Sequence, residues 1–422
     1  MKLYSCTLAI DVRRGLAQDG RDGADRSPSR GASTPAGVPW AKGNQPSRPL
    51  PSQAIFHSPR RWGTRVYRGG LFMTRHGGFK KVVRRHASAT GQRYTEALTD
   101  LEGLDDRMLH EPSAEQLRAH VRDHHGIDAV AATRVSQHKT YVFRIDRADG
   151  DPWIARAFPP ARPKFGVEGD AAILRFLERH DFPAERLAAE EATSDLSGGT
   201  VLVTRFVEHT PFPDVSTKLG MMGDLLGRLH ALPLDDSVSR PGGASGEDPA
   251  HEGSPRQDLM AALAFLDAVG TKVAASDRQR FEHLRELILS ADDGAGLPEA
   301  LLHGNLLNNP DHALLTSNGP VGINWKSAGR GPRLADVAWL MWGTWRDPAL
   351  IEAAVNGYRQ HIDLANEEFD RLEGMMYLRP LYLAGFIIRR NILQGTDEDA
   401  LAFVDRDYFR DTAQATRTAF RW

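Results

Sequence analysis

One segment of this 422-residue chain, from Leu301 to Trp342, constrains its fold more than any other. It reads LLHGNLLNNPDHALLTSNGPVGINWKSAGRGPRLADVAWLMW. Between its apolar runs it carries four short polar elements: His303-Gly304-Asn305, Asn308-Asn309-Pro310-Asp311-His312, Ile323-Asn324-Trp325 and Asp336-Val337-Ala338. Polar side chains spaced in this way among apolar runs indicate a chemical site that is assembled from loops.

The size and composition of the chain limit the class of protein to which it can belong. Its length predicts two or three structural units, and 41% hydrophobic with 26% charged residues is typical of a soluble globular protein. The net charge of −2 gives no general attraction to nucleic acid or to anionic lipid. The single cysteine, Cys6, excludes an internal disulfide framework and favours a cytoplasmic protein. We find no secretory signal and no apolar run of about 18 residues, so no membrane partner is expected.

The first 110 residues differ in character from the rest of the chain. Residues 1–72 are rich in Gly, Pro, Ser and Arg and keep no helical or strand period. We expect a disordered tail there, or a non-native translated leader upstream of a start at Met73. Residues 73–110 predict a short helical segment with a basic first part. The basic side chains favour a solvated charged face, with a nucleic-acid contact as the alternative: Lys80, Lys81, Arg84 and Arg85.

From residue 111 onward, the pattern predicts a β-rich lobe followed by a helical lobe. Ser113 and Gln116 form a capping box at the start of a helix. Strands are predicted at 140–146, 152–158 and 199–207, and an amphipathic helix at 170–180. Helices are predicted at 219–230, 257–270, 277–291 and from 352 to about 417. This order indicates an α+β protein with an N-lobe over 111–208 and a C-lobe over 209–422. Trp339, Trp342 and Trp345 lie three residues apart and predict one buried helix face.

Phosphoryl transfer needs cations around the phosphates, a residue that orients the acceptor hydroxyl, and ligands for Mg²⁺. The polar elements of 301–342, together with LLGRLHAL at 225–232, resemble the aminoglycoside phosphotransferase and choline kinase family, which is distantly related to protein kinases. The resemblance covers roughly residues 125–420. It implies a two-lobed protein-kinase-like fold, ATP and Mg²⁺ as cofactors, and a small molecule with a hydroxyl group as the second substrate, whose identity the sequence leaves open.

The same resemblance assigns roles to residues of the C-lobe. His303-Gly304-Asn305 corresponds to the family's His-Gly-Asp, so Asn305 stands where a catalytic aspartate is expected. Asn324 stands where the family has a metal-binding aspartate, and Asp336 is expected to support the loop that carries His303. The remaining metal position corresponds to Pro310 or, allowing a two-residue insertion, to His312. Asp311 is a further candidate ligand in the same loop.

In the N-lobe, the resemblance places nucleotide-binding residues on strands and on one helix. Arg156 corresponds to the strand lysine that holds the α- and β-phosphates. Asp170 corresponds to the glutamate of the following helix, with Glu168 as an alternative. The run 203–207, which includes Arg205 and Val207, is similar to the hinge that binds adenine through its backbone. Residues 136–140 (SQHKT) would cover the phosphates, although they contain no glycine.

Two departures from the family pattern bear on activity. An asparagine at position 305 accepts a hydrogen bond but is no useful base, and an amide at position 324 is a poor ligand for Mg²⁺, a hard cation. Electrostatic groups of this kind contribute ~10² to 10³ each in rate. The sequence therefore favours a catalytically impaired, pseudokinase-like protein that binds a nucleotide or small molecule. One alternative is an active ATP-dependent O-phosphotransferase with a rearranged metal site, and another is a regulatory protein that binds nucleic acid or a partner.

Overall fold

Two lobes follow one another in the computed structural model, which describes residues 112–136, 141–158, 162, 164–196, 199–243, 254–306, 312–394 and 399–421. The predicted α+β class, with a sheet first and helices afterwards, is confirmed. The expectations for 1–72 and 73–110, for the loop at 137–140 and for Asp311 lie outside the described residues.

The N-lobe begins with helix α1, Ala114–His125. The Ser113 hydroxyl accepts a hydrogen bond from the Gln116 main-chain N–H at 3.1 Å, and the Gln116 side chain accepts one from the Ser113 N–H at 2.9 Å. The predicted capping box is confirmed, and it satisfies two N–H groups that a helix start otherwise leaves unpaired. The helix ends at Gly126, whose φ of 65° favours glycine.

A five-stranded antiparallel sheet forms the body of the N-lobe, in the order β1-β2-β3-β5-β4. Its strands are β1 Ala129–Ser136, β2 Tyr141–Arg147, β3 Trp153–Phe158, β4 Thr193–Leu196 and β5 Gly199–Arg205. All six residues of the central strand β3 are buried, so the charged Arg156 lies inside the lobe. The strands predicted at 140–146, 152–158 and 199–207 are found within two residues of their expected ends, whereas β1 and β4 were not predicted.

Helix α2, Lys164–Arg179, connects strands β3 and β4 and packs on the sheet. It begins six residues before the predicted start, and the buried Val167 extends the apolar face N-terminal to the predicted 170–180 segment. Asp170 lies on this buried face and is only 2% exposed. A carboxylate in such a place requires charged or hydrogen-bonding partners.

The C-lobe is mainly helical. Its helices are α3 Val215–His230, α4 Pro255–Val269, α5 Arg278–Ser290, α6 Leu334–Trp342, α7 Pro348–Arg359, α8 Asn366–Met376, α9 Leu378–Gln394 and α10 Arg406–Arg421. Helices α3 and α7 pack at very short distance, since a Cβ at Gly223 would lie 2.0 Å from the Ala354 carbonyl oxygen. Among the described residues, no helix combines the length and the apolar character that a membrane span requires.

Two short antiparallel strand pairs position the polar loops of the C-lobe. Strand β6, Glu299–Leu302, pairs with β9, Gly329–Pro332, and β7, Ala313–Thr316, pairs with β8, Gly319–Gly322. His303 directly follows β6, and Ile323 directly follows β8. In the described part of the segment that first distinguished the sequence, the β7–β8 hairpin thus lies between the paired strands β6 and β9, and His303 and Ile323 follow strand ends.

The tryptophan prediction is correct for two residues of three. Trp339 and Trp342 lie in α6, with rings 4.8 Å apart and almost parallel. The helix ends at Gly343, and Trp345 lies beyond it with a positive φ of 54°. A spacing of three cannot by itself show where a helix ends, so the predicted helix face was too long.

Candidate active site

Asp336 holds the loop that follows β6. Its carboxylate accepts hydrogen bonds from the main-chain N–H groups of His303, at 2.6 Å, and Gly304, at 3.0 Å. Gly304 has a φ of 75°, and a Cβ there would lie 2.2 Å from the Ser327 carbonyl oxygen, so only glycine fits. Asp336 is buried at the start of α6. These contacts are the loop support that the sequence analysis expected of this carboxylate.

A buried histidine lies behind Asp336. His230 Nε2 is 3.7 Å from a carboxylate oxygen of Asp336, and His230 Nδ1 is 3.0 Å from the Tyr358 hydroxyl. Burial lowers the pKa of His230, so the ring is neutral at pH 7. A neutral ring that accepts from Tyr358 through Nδ1 carries its proton on Nε2, which faces Asp336.

His303 braces the loop from within the core. Its Nε2 lies 3.0 Å from the Ile323 carbonyl oxygen, and its ring centre is 4.6 Å from that of Trp325. The side chain is only 1% exposed, and burial lowers its pKa. The ring therefore donates to Ile323 as a neutral group and joins the His303 loop to the Asn324 loop.

Asn305 lies between two basic side chains. Its Nδ2 is 3.3 Å from His312 Nε2, and its Oδ1 accepts from the Arg379 guanidinium at 3.2 Å. Arg379 comes from the first turn of α9 and also lies over the rings of Trp339 and Tyr382, each 5.5 Å away. Sequence analysis missed Arg379. The only local signal was an arginine in the apolar first half of the helix.

Asn324 adopts a left-handed backbone conformation, with φ 69° and ψ 58°. Asparagine tolerates this region better than most residues. Its main-chain N–H donates to Glu185 Oε1 at 2.8 Å. The preceding residue, Ile323, donates its N–H to the His312 carbonyl oxygen at 3.1 Å, so the two candidate metal ligands His312 and Asn324 lie on neighbouring chain segments.

The charged partner of Arg156 differs from the sequence-based expectation. Arg156 Nη2 lies 2.7 Å from Glu185 Oε2, and Arg156 Nη1 donates to the Thr204 hydroxyl at 3.0 Å. Thr204 in turn donates to Glu185 Oε2 at 3.0 Å. Glu185 belongs to the loop between α2 and β4 and is only 3% exposed. Nothing in the local sequence signals that this glutamate is buried, and sequence analysis missed it.

Asp170, the residue expected near Arg156, binds other arginines. Its carboxylate lies 2.8 Å from Arg162 and 2.7 Å from Arg240. Arg240 also donates to the carbonyl oxygens of Gly166, Trp325 and Ala328, and so connects α2 to the segment that follows Asn324. The alternative, Glu168, is exposed. Asp170 therefore joins the two lobes, and Glu185 rather than Asp170 lies beside Arg156, while the role of Asp170 in nucleotide binding stays a prediction.

The predicted hinge, 203–207, comprises the last three residues of β5 and the two that follow it. Arg205 is exposed, and its main-chain N–H donates to the Arg186 carbonyl oxygen at 2.8 Å. The Val207 carbonyl oxygen lies 2.9 Å from His209 Nδ1. The structure thus describes both residues at the edge of the N-lobe, and their binding of adenine stays a prediction.

The described residues do not fit Mg²⁺, which prefers anionic oxygen ligands. Asn324 offers an amide and His312 an imidazole that lies against Asn305. Across the described ranges, no group of three or more His, Cys, Asp and Glu side chains is placed to hold a metal ion. The carboxylate of Asp311, the remaining candidate, lies outside those ranges.

Comparison with known proteins identifies the family of this chain. Comparison with curated proteins gave no match. Similar solved structures include the amicoumacin kinase hAmiN in complex with AMP-PNP, Ca²⁺ and Ami, at 13% identity over 75% of this chain and 93% of that chain, with a TM-score of 0.48. The choline kinase LicA from Streptococcus pneumoniae matches at 11% identity over 73% of this chain and 98% of that chain, with a TM-score of 0.49. The model of the phosphotransferase enzyme family matches residues 132–373, which is more than half of the chain. The chain therefore belongs to the phosphotransferase enzyme family.

Proposed function

We propose that this protein is a catalytically impaired member of its family, which binds a nucleotide or another small molecule and transfers phosphoryl groups poorly or not at all. The observation that carries the proposal is the surroundings of Asn305. Its amide group contacts His312 and Arg379, at the position where the family resemblance calls for a carboxylate. In the resemblance, that carboxylate orients the acceptor hydroxyl and takes its proton.

The chemistry of the amide explains the impairment. A neutral Asn305 adds no negative charge beside the acceptor hydroxyl and takes no proton from it. Its Oδ1 already accepts from Arg379, and its Nδ2 faces a ring nitrogen of His312. A hydroxyl substrate would have to compete with these contacts before it could be oriented for transfer.

The nucleotide part of the proposal rests on the N-lobe. Arg156 is a buried cation on the central strand, and the segment around Arg205 and Val207 is similar to an adenine-binding hinge. ATP is the nucleotide that the resemblance implies, and two of the positions that the resemblance assigns to Mg²⁺ carry an amide, Asn324, and an imidazole, His312. We therefore expect nucleotide binding that does not depend on Mg²⁺. The single cysteine, Cys6, fits a cytoplasmic location for this protein.

A second candidate function is an active small-molecule phosphotransferase with a rearranged metal site. One observation favours it: His312 lies 3.3 Å from Asn305, so the chain next to Asp311 comes close to the site. A carboxylate in that place would be a better ligand for Mg²⁺ than either asparagine.

Titration calorimetry of ATP into the full chain, with and without Mg²⁺, tests the proposal. The unmodified protein is expected to bind ATP with an affinity that Mg²⁺ does not change. In the double variant Asn305→Asp, Asn324→Asp, the affinity for ATP is expected to become dependent on Mg²⁺. Asn318→Asp makes the same amide-to-carboxylate change once, in the exposed turn between β7 and β8, and is the control. Mg²⁺-dependent ATP binding by the unmodified protein would contradict the proposal and favour the second candidate.

A further inference from the structure

A cavity of about 290 Å³ lies in the C-lobe, beside the first turn of α4. The turn at 293–297 and strands β6 and β9 form its other walls. In this strand pair, Glu299 lies opposite Pro332 at the cavity, whereas Leu302 lies opposite Gly329, next to His303. Three steps along a strand span about 10 Å, so the cavity is separate from the loop that carries His303.

Arg256 brings a cation to this cavity from the first turn of α4. The side chain is exposed, and within the described ranges it forms no hydrogen bond, ion pair or ring contact. Its charge is therefore neutralised by no carboxylate of the protein, and its guanidinium group is available to a ligand.

Arg330 brings a second cation from β9. It lies opposite Leu301 and thus on the same face of the strand pair as Glu299, with its Nε 3.7 Å from a carboxylate oxygen of Glu299. This distance is too long for a hydrogen bond, and the buried Nε has no acceptor in the part of the chain that the structure describes. A buried donor without an acceptor is unfavourable, and a ligand oxygen would satisfy it.

The acidic residues of the lining leave these two arginines available. Asp293 accepts the main-chain N–H of Ala295 at 3.0 Å and so serves its own turn. Glu299 is exposed, and its distant contact with Arg330 is the kind of surface ion pair that contributes little. An oxyanion can therefore replace Glu299 beside Arg330, because charge-assisted hydrogen bonds from arginine to phosphate or carboxylate are stronger than this contact.

We propose that this cavity is a second ligand site, which binds a small molecule through a phosphate or carboxylate group held by Arg256 and Arg330. The volume corresponds to roughly ten water molecules, which limits the ligand to a small metabolite. The site goes beyond the proposed function, since it uses neither Asn305 nor the N-lobe.

Inorganic phosphate and succinate are the probes, titrated separately into the full chain at constant ionic strength. Calorimetry measures their binding directly, which matters because phosphate also stabilises proteins without occupying a site. Saturable binding of at least one probe is expected in the millimolar range or tighter. Arg256→Gln and Arg330→Gln should each weaken it about tenfold, as for the loss of a charge-assisted hydrogen bond.

Two further variants separate recognition from general effects of charge and structure. Arg406→Gln makes the same change at an exposed arginine in the first turn of α10 and should leave the affinity unchanged. Glu299→Gln removes the carboxylate that competes for Arg330 and should tighten binding about threefold or more. A damaged fold could not produce this gain.

Binding that depends on Arg256 supports the inference, and the probes identify its source: phosphate alone indicates a phosphate ester, succinate alone a carboxylate, and both a general oxyanion site. The inference is overturned if neither probe binds saturably below about 20 mM. It is also overturned if Arg256→Gln binds the probes as the unmodified protein does, because the anion then lies elsewhere. If Arg330→Gln does not fold, Arg256→Gln still decides, since that side chain has no partner to lose. ATP binding bears only on the proposed function.

Discussion

A single carboxylate, that of Asp336, satisfies two main-chain N–H groups at the start of the candidate catalytic loop. Its surroundings are fully packed, with His230 on the other side of the same carboxylate. Residues of this kind act on a loop without touching a ligand, because they determine where the main chain runs. Asn305 differs from Asp336 in this respect, because its side chain would contact a bound ligand directly.

Replacing Asp336 with asparagine is expected to destabilise the protein by about 2 to 3 kcal/mol. The amide group has only one oxygen, so one of the two buried N–H groups of His303 and Gly304 loses its acceptor. Urea unfolding followed by tryptophan fluorescence measures the change in unfolding free energy. Asp370→Asn makes the same chemical change at an exposed position of α8 and should cost less than about 0.5 kcal/mol. Equal stabilities for the two variants would show that Asp336 does not support the loop.

At the scale of elements, the crossing of α3 and α7 depends on small residues. Gly223 faces Ala354 and Gly227 faces Tyr358, and a Cβ at either glycine would overlap the facing main chain. The short distance between the axes brings Tyr358 of α7 to His230 at the end of α3. The packing of α3 against α7 therefore helps to determine where His230 lies relative to Asp336.

Gly223→Ala is expected to destabilise the protein by about 1 to 3 kcal/mol, because its Cβ would force α3 and α7 apart. Gly220→Ala on the same helix is the matched control, since its Cβ would lie at an ordinary 3.5 Å from the Ala353 carbonyl oxygen. This control gains helix propensity and should be neutral or stabilising. Thermal unfolding of both variants provides the comparison, and a Gly223→Ala protein as stable as the control would refute the close packing.

At the scale of the whole molecule, buried histidines in both lobes determine the response to acid. Burial, with neighbouring His124 and His125, lowers the pKa of His120 from 6.5 to about 4. In the C-lobe, burial also lowers the pKa values of His230 and His303. Each of these rings binds a proton less readily in the folded protein than in the unfolded chain.

The unfolding free energy is therefore expected to be highest above pH 6.5 and to fall as the pH decreases toward 4. Between these values the unfolded chain binds more protons than the folded protein, so acid favours unfolding. His120 alone contributes roughly 2 to 4 kcal/mol to this loss. Urea unfolding at pH 7.5, 5.5 and 4.5 measures it. His120→Asn should flatten the pH dependence, while His283→Asn, at an exposed position of α5, should not. If the unfolding free energy of both variants depends on pH as it does in the unmodified protein, His120 is not the cause of the loss in acid.

Local sequence determined those features that depend on neighbours within a few positions. The Ser113–Gln116 capping box follows from residues three apart, and the strand near 140–146 follows from alternation over one strand length. The polar elements at 303–305 and 323–325 could also be located, and the α+β class inferred, because their order along the chain is specific. The asparagines at 305 and 324 are likewise plain from the sequence.

Only the tertiary structure decided which charges meet. Arg156 pairs with Glu185, 29 positions along the chain, and Arg379 reaches Asn305 across 74 positions. Asp170 binds Arg240 rather than Arg156. Whether a charged side chain is buried, and beside which partner, depends on how distant segments pack, and the free energy of such a pair comes from its desolvated surroundings. The sequence by itself thus determined the fold class and the identity of the residues in the site, while the packing of segments distant in sequence, within and between the lobes, determined the partner of each residue.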